Sequence, residues 1–134
     1  YDVFWDEAYA QAHGIRQADP NTIFSCRDFI SLHLPLNNDT LGIVNADAFR
    51  RMKRTAILIN TARGGLIDES ALIQALSTQQ ILAAGIDVFE KEPPENTVLY
   101  SLPNLVMGSH CAASTVGASE AMSLLAVQNL LSDL

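Results

Sequence analysis

Short apolar runs alternate along this chain with segments in which apolar residues recur at helical spacing. The runs predict four β-strands, at 29–34, 56–60, 82–89 and 105–107. The periodic segments predict four helices, at 6–13, 46–53, 69–79 and from 115 to the end of the chain. Strands and helices that alternate over short connections predict an α/β fold with a parallel sheet and right-handed crossovers.

Residue types at the ends of these segments support the same boundaries. Gly14 is typical of a helix end, and Asn45 and Asp68 are typical of helix starts. The run at 56–60 has no polar alternation, which predicts a strand buried on both faces. The proline-rich stretch at 91–104 is the longest irregular piece, and we interpret it as an active-site loop.

Polar side chains follow the predicted strands at the points where those strands end. They are Asp2, His33, Thr61 with Arg63, Asp87 with Glu92, and His110. Because ligands of a doubly wound sheet bind beyond the carboxyl ends of its strands, these residues are predicted to share one edge. An arginine, a glutamate and a histidine on one edge indicate a catalytic site.

Arg63 stands between an apolar strand and the pair Gly64–Gly65. Its fork of donors suits bidentate binding of a carboxylate and polarisation of an adjacent carbonyl. The two glycines allow a sharp turn and leave room for a ligand. The alternative is that Arg63 caps the strand end and forms a salt bridge with a neighbour.

His110 can transfer a proton near neutral pH, as reduction of a ketone or oxidation of an alcohol requires. A carboxylate such as Glu92, paired with the imidazole, would raise its basicity and hold its tautomer. Alternatively, His110 is structural and Glu92 is a solvated loop acid. None of these groups carries electrons, so the hypothesis requires a cofactor.

Asp2 follows what we interpret as the end of the second strand of the sheet, where a dinucleotide fold binds the adenosine ribose. Its charge would favour NAD over NADP, although an ordinary loop aspartate is the alternative. The G-x-G-x-x-G fingerprint is absent from the chain. We expect it roughly 20 residues upstream of Asp2, in a larger protein of which this chain is a part.

The composition of the chain limits the kinds of function and partner that it can have. The chain has 134 residues, of which 49% are hydrophobic, enough for one domain core. Its formal net charge of −7 argues against nucleic acid or an anionic membrane as partner. No apolar run approaches a membrane span, and the acidic N-terminus is not a signal peptide. The widely spaced Cys26 and Cys111 predict reduced thiols in a cytoplasmic protein, and we predict no metal site.

Three segments together resemble the D-isomer-specific 2-hydroxyacid dehydrogenases. They are HLPLNNDTLGIVNADAFRRMKRTAILINTARGGLIDESALIQAL, AAGIDVFEKEPP and LPNLVMGSHCAAST, which lie at 33–76, 83–94 and 102–115. Within the family, the resemblance is greatest to 3-phosphoglycerate dehydrogenases and to hydroxypyruvate/glyoxylate reductases. Formate dehydrogenases of the superfamily carry glutamine in place of Glu92, which makes formate an improbable substrate.

The resemblance implies a three-layer, Rossmann-like, doubly wound sheet that is incomplete, without its first βα unit and glycine-rich loop. Residues 1–134 would be a partial NAD-binding domain. Within it, 1–114 would hold the sheet and crossover helices, and 115–134 would lead back toward a substrate domain. The implied cofactor is NAD, the substrate a small 2-hydroxy or 2-oxo acid, and the assembly a homodimer through this domain.

The resemblance also implies roles for single residues. Arg63 would bind the substrate carboxylate and carbonyl, His110 would be the acid/base, and Glu92 its partner. The implied cofactor-binding residues are Asp2 at the ribose, Leu34, Pro35, Thr61, Ala62 and Arg63 along the wall, Asp87 at the nicotinamide amide, and His110, Ala112 and Ala113 at the end of the pocket.

Two features depart from the family pattern. Ser109 stands where the family usually has proline, and Cys111 is unusual at its position. Two other functions remain open from the sequence: an NAD-sensing corepressor of the same superfamily, and an inactive remnant of the fold. Without a glycine-rich loop and a substrate domain, we expect the chain to be inactive on its own.

Overall fold

The computed structural model describes residues 1–2, 4–111 and 113–132. Within these residues the chain forms five α-helices and four β-strands. They are α1 Glu7–Ala12, α2 Pro20–Cys26, β1 Phe29–Leu32, α3 Ala46–Arg51, β2 Ile57–Asn60, α4 Glu69–Ser77, β3 Ala83–Ile86, β4 Leu105–Met107 and α5 Val116–Ser132, with 3-10 turns at Gly64–Leu66 and Leu99–Ser101.

The four strands form one parallel sheet in the order β1-β2-β3-β4. Leu32, Asn60, Ile86 and Met107 stand in register across it, so all four strands end at the same edge. The predicted α/β, Rossmann-like parallel fold is confirmed. The polar residues that follow each strand are thereby delivered to one edge of the molecule.

The core lies between one face of this sheet and the helices. Leu58 of β2 is completely buried, and Phe24 of α2, Phe49 of α3 and Leu72 of α4 pack into the same cluster. Burial of each such side chain contributes about 1.5–3 kcal/mol, so this layer is the main source of stability. The helices that cover it fix the spacing of the strands that carry the site.

The opposite face of the sheet is more open. Phe29 of β1 is 72% exposed and Val106 of β4 is 75% exposed. In β2, Ile57 and Ile59 are half-buried rather than buried, so the expectation of burial on both faces was too strong. The described residues therefore supply two packed layers, the sheet and the helices over one face.

Helix ends follow the expected chemistry. The side chains of Asp6, Asp19, Asn45 and Asp68 accept hydrogen bonds from backbone N–H groups in the first turns of α1, α2, α3 and α4. Gly14, just beyond α1, has φ +64°, as predicted for a helix stop. Asp19 followed by Pro20 was the overlooked signal for α2, which the sequence analysis did not predict.

Three strands are shorter than predicted, and the strand end expected at Asp2 is not among the described strands. β1 ends at Leu32 rather than 34, β2 begins at Ile57 rather than 56, and β3 covers Ala83–Ile86 rather than 82–89. The N–H of Asp87 still donates to the carbonyl of Asn60 at 2.9 Å, but the N–H of Phe89 donates to the Glu92 side chain, so the chain leaves the ladder after Asp87. Tyr1 and Asp2 form no strand, because no other described strand pairs with them.

The last helix, α5, begins one residue after its predicted start. None of its described side chains is buried, although it carries large apolar residues that are more than half exposed. These are Val116, Met122, Leu124, Leu125, Val127, Leu130 and Leu131. No helix among the described residues has the length and apolarity to cross a bilayer.

Candidate active site

The turn that carries Arg63 is built on a buried amide. Asn60, the last residue of β2, is fully buried. Its Nδ2 donates to the carbonyl of Arg63 at 2.9 Å, and its Oδ1 accepts from the N–H of Ala62 at 3.1 Å. One side chain thus closes the turn from both ends, and its own polar groups are satisfied. Sequence reasoning missed this role, although a polar residue that ends an apolar strand was the available signal.

Gly64 is the point where the turn after β2 meets the loop after β3. A Cβ built on Gly64 would lie 2.0 Å from the carbonyl carbon and oxygen of Phe89 and 2.6 Å from the nitrogen of Glu90. Neither Gly64 nor Gly65 has a positive φ. Gly64 is therefore required for close approach between two backbones, which is more specific than the sharp turn we expected.

Glu92 and His110 form a direct pair. His110 Nδ1 lies 2.8 Å from Glu92 Oε2, and Glu92 Oε1 accepts from the N–H of Phe89 at 3.1 Å. The pKa of Glu92 lies below its usual value, chiefly because of the bond from His110, then because of the Phe89 bond, with a smaller effect of the nearby Arg63 charge. An ionised carboxylate only accepts hydrogen bonds, so Nδ1 carries a proton and Nε2 is the nitrogen available for chemistry.

The backbone of His110 is held in an unusual conformation. Its φ is +52°, in the left-handed region, which costs a residue other than glycine about 1–2 kcal/mol. Its N–H donates to Asp87 Oδ1 at 3.1 Å. That carboxylate also packs on Gly108, where a Cβ would come within 1.9 Å of the same oxygen. The observed contacts of the Asp87 side chain are therefore with the loop that presents His110.

Four adjoining clefts follow the carboxyl edge of the sheet. Leu34 is common to the first and second, Arg63 to the second and third, and His110 to the third and fourth. The second cleft has a volume of about 780 Å³, within the usual range for small-molecule sites. The predicted residues line this groove in the order Asp2, Leu34, Pro35, Thr61, Ala62, Arg63, Glu92, His110 and Asp87.

The structure therefore brings Arg63, Glu92 and His110 to one cleft, which also holds the apolar side chains Leu36 and Leu41. Ala113 is exposed and lines none of the four clefts, and Ala112 lies outside the described residues. Asp2 lies at the far end of the groove, where its carboxylate accepts from the N–H of Phe4 at 3.0 Å.

His33 lies beside Leu34 in the first two clefts, and the sequence placed it at this edge without a role. Its Nε2 is 2.8 Å from the hydroxyl oxygen of Ser31. Cys26 and Cys111 are both exposed free thiols. Within the described ranges, no group of histidine, cysteine, aspartate and glutamate side chains is arranged to hold a metal ion.

Residues 1–112 match the family described as D-isomer specific 2-hydroxyacid dehydrogenase, NAD binding domain. The chain belongs to this family. The resemblance seen in the three sequence segments is thereby confirmed, and the cofactor of this family of domains is NAD.

Individual relatives agree with the family. The chain is 42% identical to a glyoxylate reductase of Thermofilum pendens, over 84% of this chain and 34% of that protein. It is 35% identical to a D-3-phosphoglycerate dehydrogenase of Archaeoglobus fulgidus, over 98% of this chain and 25% of that protein.

A solved structure has the same fold as this chain. It is the NAD-complexed form of a D-isomer specific 2-hydroxyacid dehydrogenase from Lactobacillus delbrueckii ssp. bulgaricus, with a TM-score of 0.87 and 30% identity. The match covers 98% of this chain and 44% of that one. The chain thus spans from 25% to 44% of the length of the relatives named here.

The residues of the groove fit a dinucleotide of this kind. A carboxylate lies at one end, where a ribose diol needs acceptors, and a wide cleft with both apolar and polar walls lies in the middle. At the other end stand an arginine and a histidine, groups that bind a carboxylate and move a proton.

Proposed function

We propose that the protein containing this domain is an NAD-dependent D-2-hydroxyacid dehydrogenase, with Arg63, Glu92 and His110 as its catalytic residues. The observation that carries the proposal is the convergence of these three side chains on one cleft, with the 2.8 Å contact between Glu92 and His110. Arg63 comes from the turn after β2, Glu92 from the loop after β3, and His110 from the loop after β4. A cap or a solvated loop acid would not require this convergence.

In this proposal Arg63 binds the substrate carboxylate with its fork of donors and polarises the adjacent carbonyl. His110 Nε2–H donates its proton to the carbonyl oxygen during reduction, and Nε2 takes the hydroxyl proton during oxidation. Glu92 holds the imidazole by Nδ1 and stabilises the imidazolium form. NAD supplies or accepts the hydride when it is bound, and no protein residue carries electrons.

The cofactor would lie along the groove, with Asp2 at the adenosine ribose. Leu34, Pro35, Thr61 and Ala62 would form its wall, as their shared clefts support. The negative charge of Asp2 would disfavour a 2′-phosphate, so NAD would bind more tightly than NADP. Asp87, and the segment with Ala112 and Ala113, would complete the nicotinamide end of the site.

We also propose a cytoplasmic homodimer paired through this domain, whose sheet would be residues 1–114 and whose final helix 115–134. The seven exposed apolar side chains of α5 support pairing, because burying them would be favourable. Two exposed free thiols are compatible with a reducing compartment. Sedimentation of the protein with Leu125→Glu and Leu130→Glu is expected to show dissociation. A wild-type monomer would contradict the dimer.

The function is tested by NADH oxidation with hydroxypyruvate, phosphohydroxypyruvate, glyoxylate and 2-oxoglutarate. The longest natural polypeptide that contains the domain should turn over at least one of them, and 3-phosphoglycerate dehydrogenase-like activity on phosphohydroxypyruvate is our first choice. The 134-residue chain run alongside should be inactive. If the longer protein binds NADH but reduces none of the four acids, the dehydrogenase proposal fails and an NAD-sensing binding protein replaces it.

A further inference from the structure

Glu69 and Glu90 exchange hydrogen bonds between two distant parts of the chain. The N–H of Glu90 donates to Glu69 Oε1 at 2.7 Å, and the N–H of Glu69 donates to Glu90 Oε1 at 3.3 Å. The two residues are 21 positions apart, at the start of α4 and in the loop after β3. We refer to these two residues and their reciprocal bonds as the carboxylate clasp.

Capping of α4 does not account for both bonds of the clasp. Asp68 already accepts from the N–H groups of Ser70 and Ala71. Glu90 accepts from the remaining first-turn N–H, that of Glu69, as an external cap would. The carboxylate of Glu69, however, bonds outward to the N–H of Glu90 in the loop rather than to an N–H of its own helix.

The clasp also brings two like charges together. Among the described residues, neither Glu69 nor Glu90 forms a salt bridge that would neutralise it. Repulsion between two carboxylates opposes this arrangement, and charge-assisted bonds to backbone N–H groups offset that repulsion. The arrangement therefore carries a cost in charge repulsion, which two unconnected surface carboxylates would not have.

The loop segment that Glu69 holds is the one that supports the catalytic pair. Phe89, directly before Glu90, donates its N–H to Glu92 Oε1 at 3.1 Å. The carbonyl of Phe89 lies against Gly64, the neighbour of Arg63. The peptide between Phe89 and Glu90 thus contacts the turn of Arg63 on one side and the carboxylate of Glu69 on the other.

We propose that Glu69 and Glu90 are positioning residues, whose clasp holds the Phe89–Glu90 peptide so that Glu92 stays aligned with His110. The inference rests on the proposed dehydrogenase function for its kinetic consequences. Without the carboxylate of Glu69, the Glu90 N–H loses its acceptor and the loop at Phe89 can shift, which withdraws the Phe89 N–H, a group of the preceding peptide, from Glu92. Glu92 would then be held only by His110, with its own side chain 40% exposed.

Three charged groups lie close to His110, and the kinetic test depends on which of them the clasp holds in place. Glu92 contacts its ring, Asp87 accepts from its N–H, and Arg63 stands in the same cleft. Only Glu92 depends on the clasp, since Asp87 and Arg63 are held by other bonds. Loss of the clasp should therefore act as a weakened form of Glu92→Gln.

The decisive variant is Glu69→Ala, compared with Glu69→Gln and Glu95→Ala. Glutamine keeps an oxygen that accepts from the N–H of Glu90, and Glu95 is an exposed acid of the same loop that pairs with Lys91. We expect Glu69→Ala to lower kcat about tenfold while KM and the Kd of NADH stay within about twofold, because misalignment affects the reacting geometry. Glu69→Gln and Glu95→Ala should stay within about twofold of wild type in all three quantities.

The pH profile separates positioning from simple stabilisation. Glu69→Ala should move the falling alkaline limb of the reduction rate to lower pH, in the same direction as we expect for Glu92→Gln. The double variant should show no further movement, because both changes act on one contact. If Glu69→Ala lowered the Tm but left the profile unmoved, or if Glu69→Gln were as impaired as alanine, the clasp would be only a structural contact and the inference would be wrong.

A second readout does not depend on turnover. In NMR spectra of the 134-residue chain, the N–H groups of Phe89 and Glu90 should exchange at least about tenfold faster in Glu69→Ala than in Glu95→Ala, because their acceptors are lost or released. The ¹⁵N signals of the His110 ring should change with them. If the exchange rate of the Phe89 N–H did not change in Glu69→Ala, the inference would be wrong whether or not the wild-type protein is a dehydrogenase. Absence of dehydrogenase activity in the wild-type protein, in contrast, would count only against the proposed function.

Discussion

Replacement of Gly64 by alanine should separate the two halves of the active site. Carbon atoms in contact lie about 3.5 Å apart. The new Cβ would start 2.0 Å from the carbonyl carbon of Phe89, so the two backbones would have to separate by about 1.5 Å. Both neighbours are main-chain atoms, which cannot rotate away as a side chain can. The turn with Arg63 would move relative to the loop with Glu92.

Two effects of Gly64→Ala follow from that displacement. Misplacement of catalytic groups by about 1 Å lowers rates by about 100-fold, so we expect a loss of this size in kcat/KM. Overpacking of this kind costs about 1–3 kcal/mol of unfolding free energy. Urea denaturation of the 134-residue chain measures the second effect, and steady-state reduction of the best 2-oxo acid by the longer protein measures the first.

Two glycines provide matched controls for Gly64→Ala. A Cβ on Gly65 would meet Leu36 Cδ2 at 3.0 Å, the end of a flexible side chain, and a Cβ on Gly85 would meet nothing within 4 Å. Gly65→Ala should therefore lose less than about tenfold in kcat/KM, and Gly85→Ala should fold with wild-type stability. If Gly64→Ala resembled Gly65→Ala in both assays, close approach of the two backbones would not be what aligns the site.

Three further substitutions test single contacts. Asn60→Ala leaves the Ala62 N–H and the Arg63 carbonyl without partners and should cost about 2 kcal/mol of unfolding free energy. Equal stability would mean that other groups close the turn. Glu92→Gln removes the charge that stabilises the imidazolium. Because reduction needs protonated His110, its rate should begin to fall with rising pH at a lower pH than in wild type. A superimposable pH profile would reduce Glu92 to a loop acid. Arg63→Lys loses the planar fork and should lower kcat/KM about 10–100-fold, mostly through KM. Unchanged efficiency would refute carboxylate binding by Arg63.

The lowered pKa of Glu92 also predicts the pH range in which the catalytic pair exists. A carboxyl group whose folded-state pKa is depressed contributes stability above its unfolded value and loses that contribution as the pH falls through the folded value. The bond between Glu92 and His110 is therefore intact at neutral pH. It should be lost only in acid, as NMR titration of the His110 ring would show.

The fold was predictable because the apolar runs and the helix ends carry local signals. β2 reads as an uninterrupted strand, and Asp68 and Gly14 mark helix boundaries in the sequence itself. The edge positions of Arg63 and His110 followed from parallel topology alone. The missed helix α2 had a local signal as well, in Asp19 followed by Pro20.

The contacts that hold the catalytic residues in place could not be predicted from the sequence in the same way. The approach of Gly64 to Phe89, and the clasp between Glu69 and Glu90, join segments that lie more than 20 residues apart. Such contacts depend on how β2, α4 and β3 pack, and no local pattern of residue types encodes them. Asn60 was visible as a polar residue after an apolar run, but its two bonds became evident only from the closed turn.

The proposed dehydrogenase reaction depends on proton transfer by His110. Proton transfer by this residue is tested by NADH oxidation with wild type and His110→Ala, with NADH binding measured in parallel. We expect His110→Ala to lose at least about 100-fold in kcat while the Kd of NADH stays within about twofold. An alanine variant that turns over at the wild-type rate, with the same pH profile, would contradict proton transfer by His110.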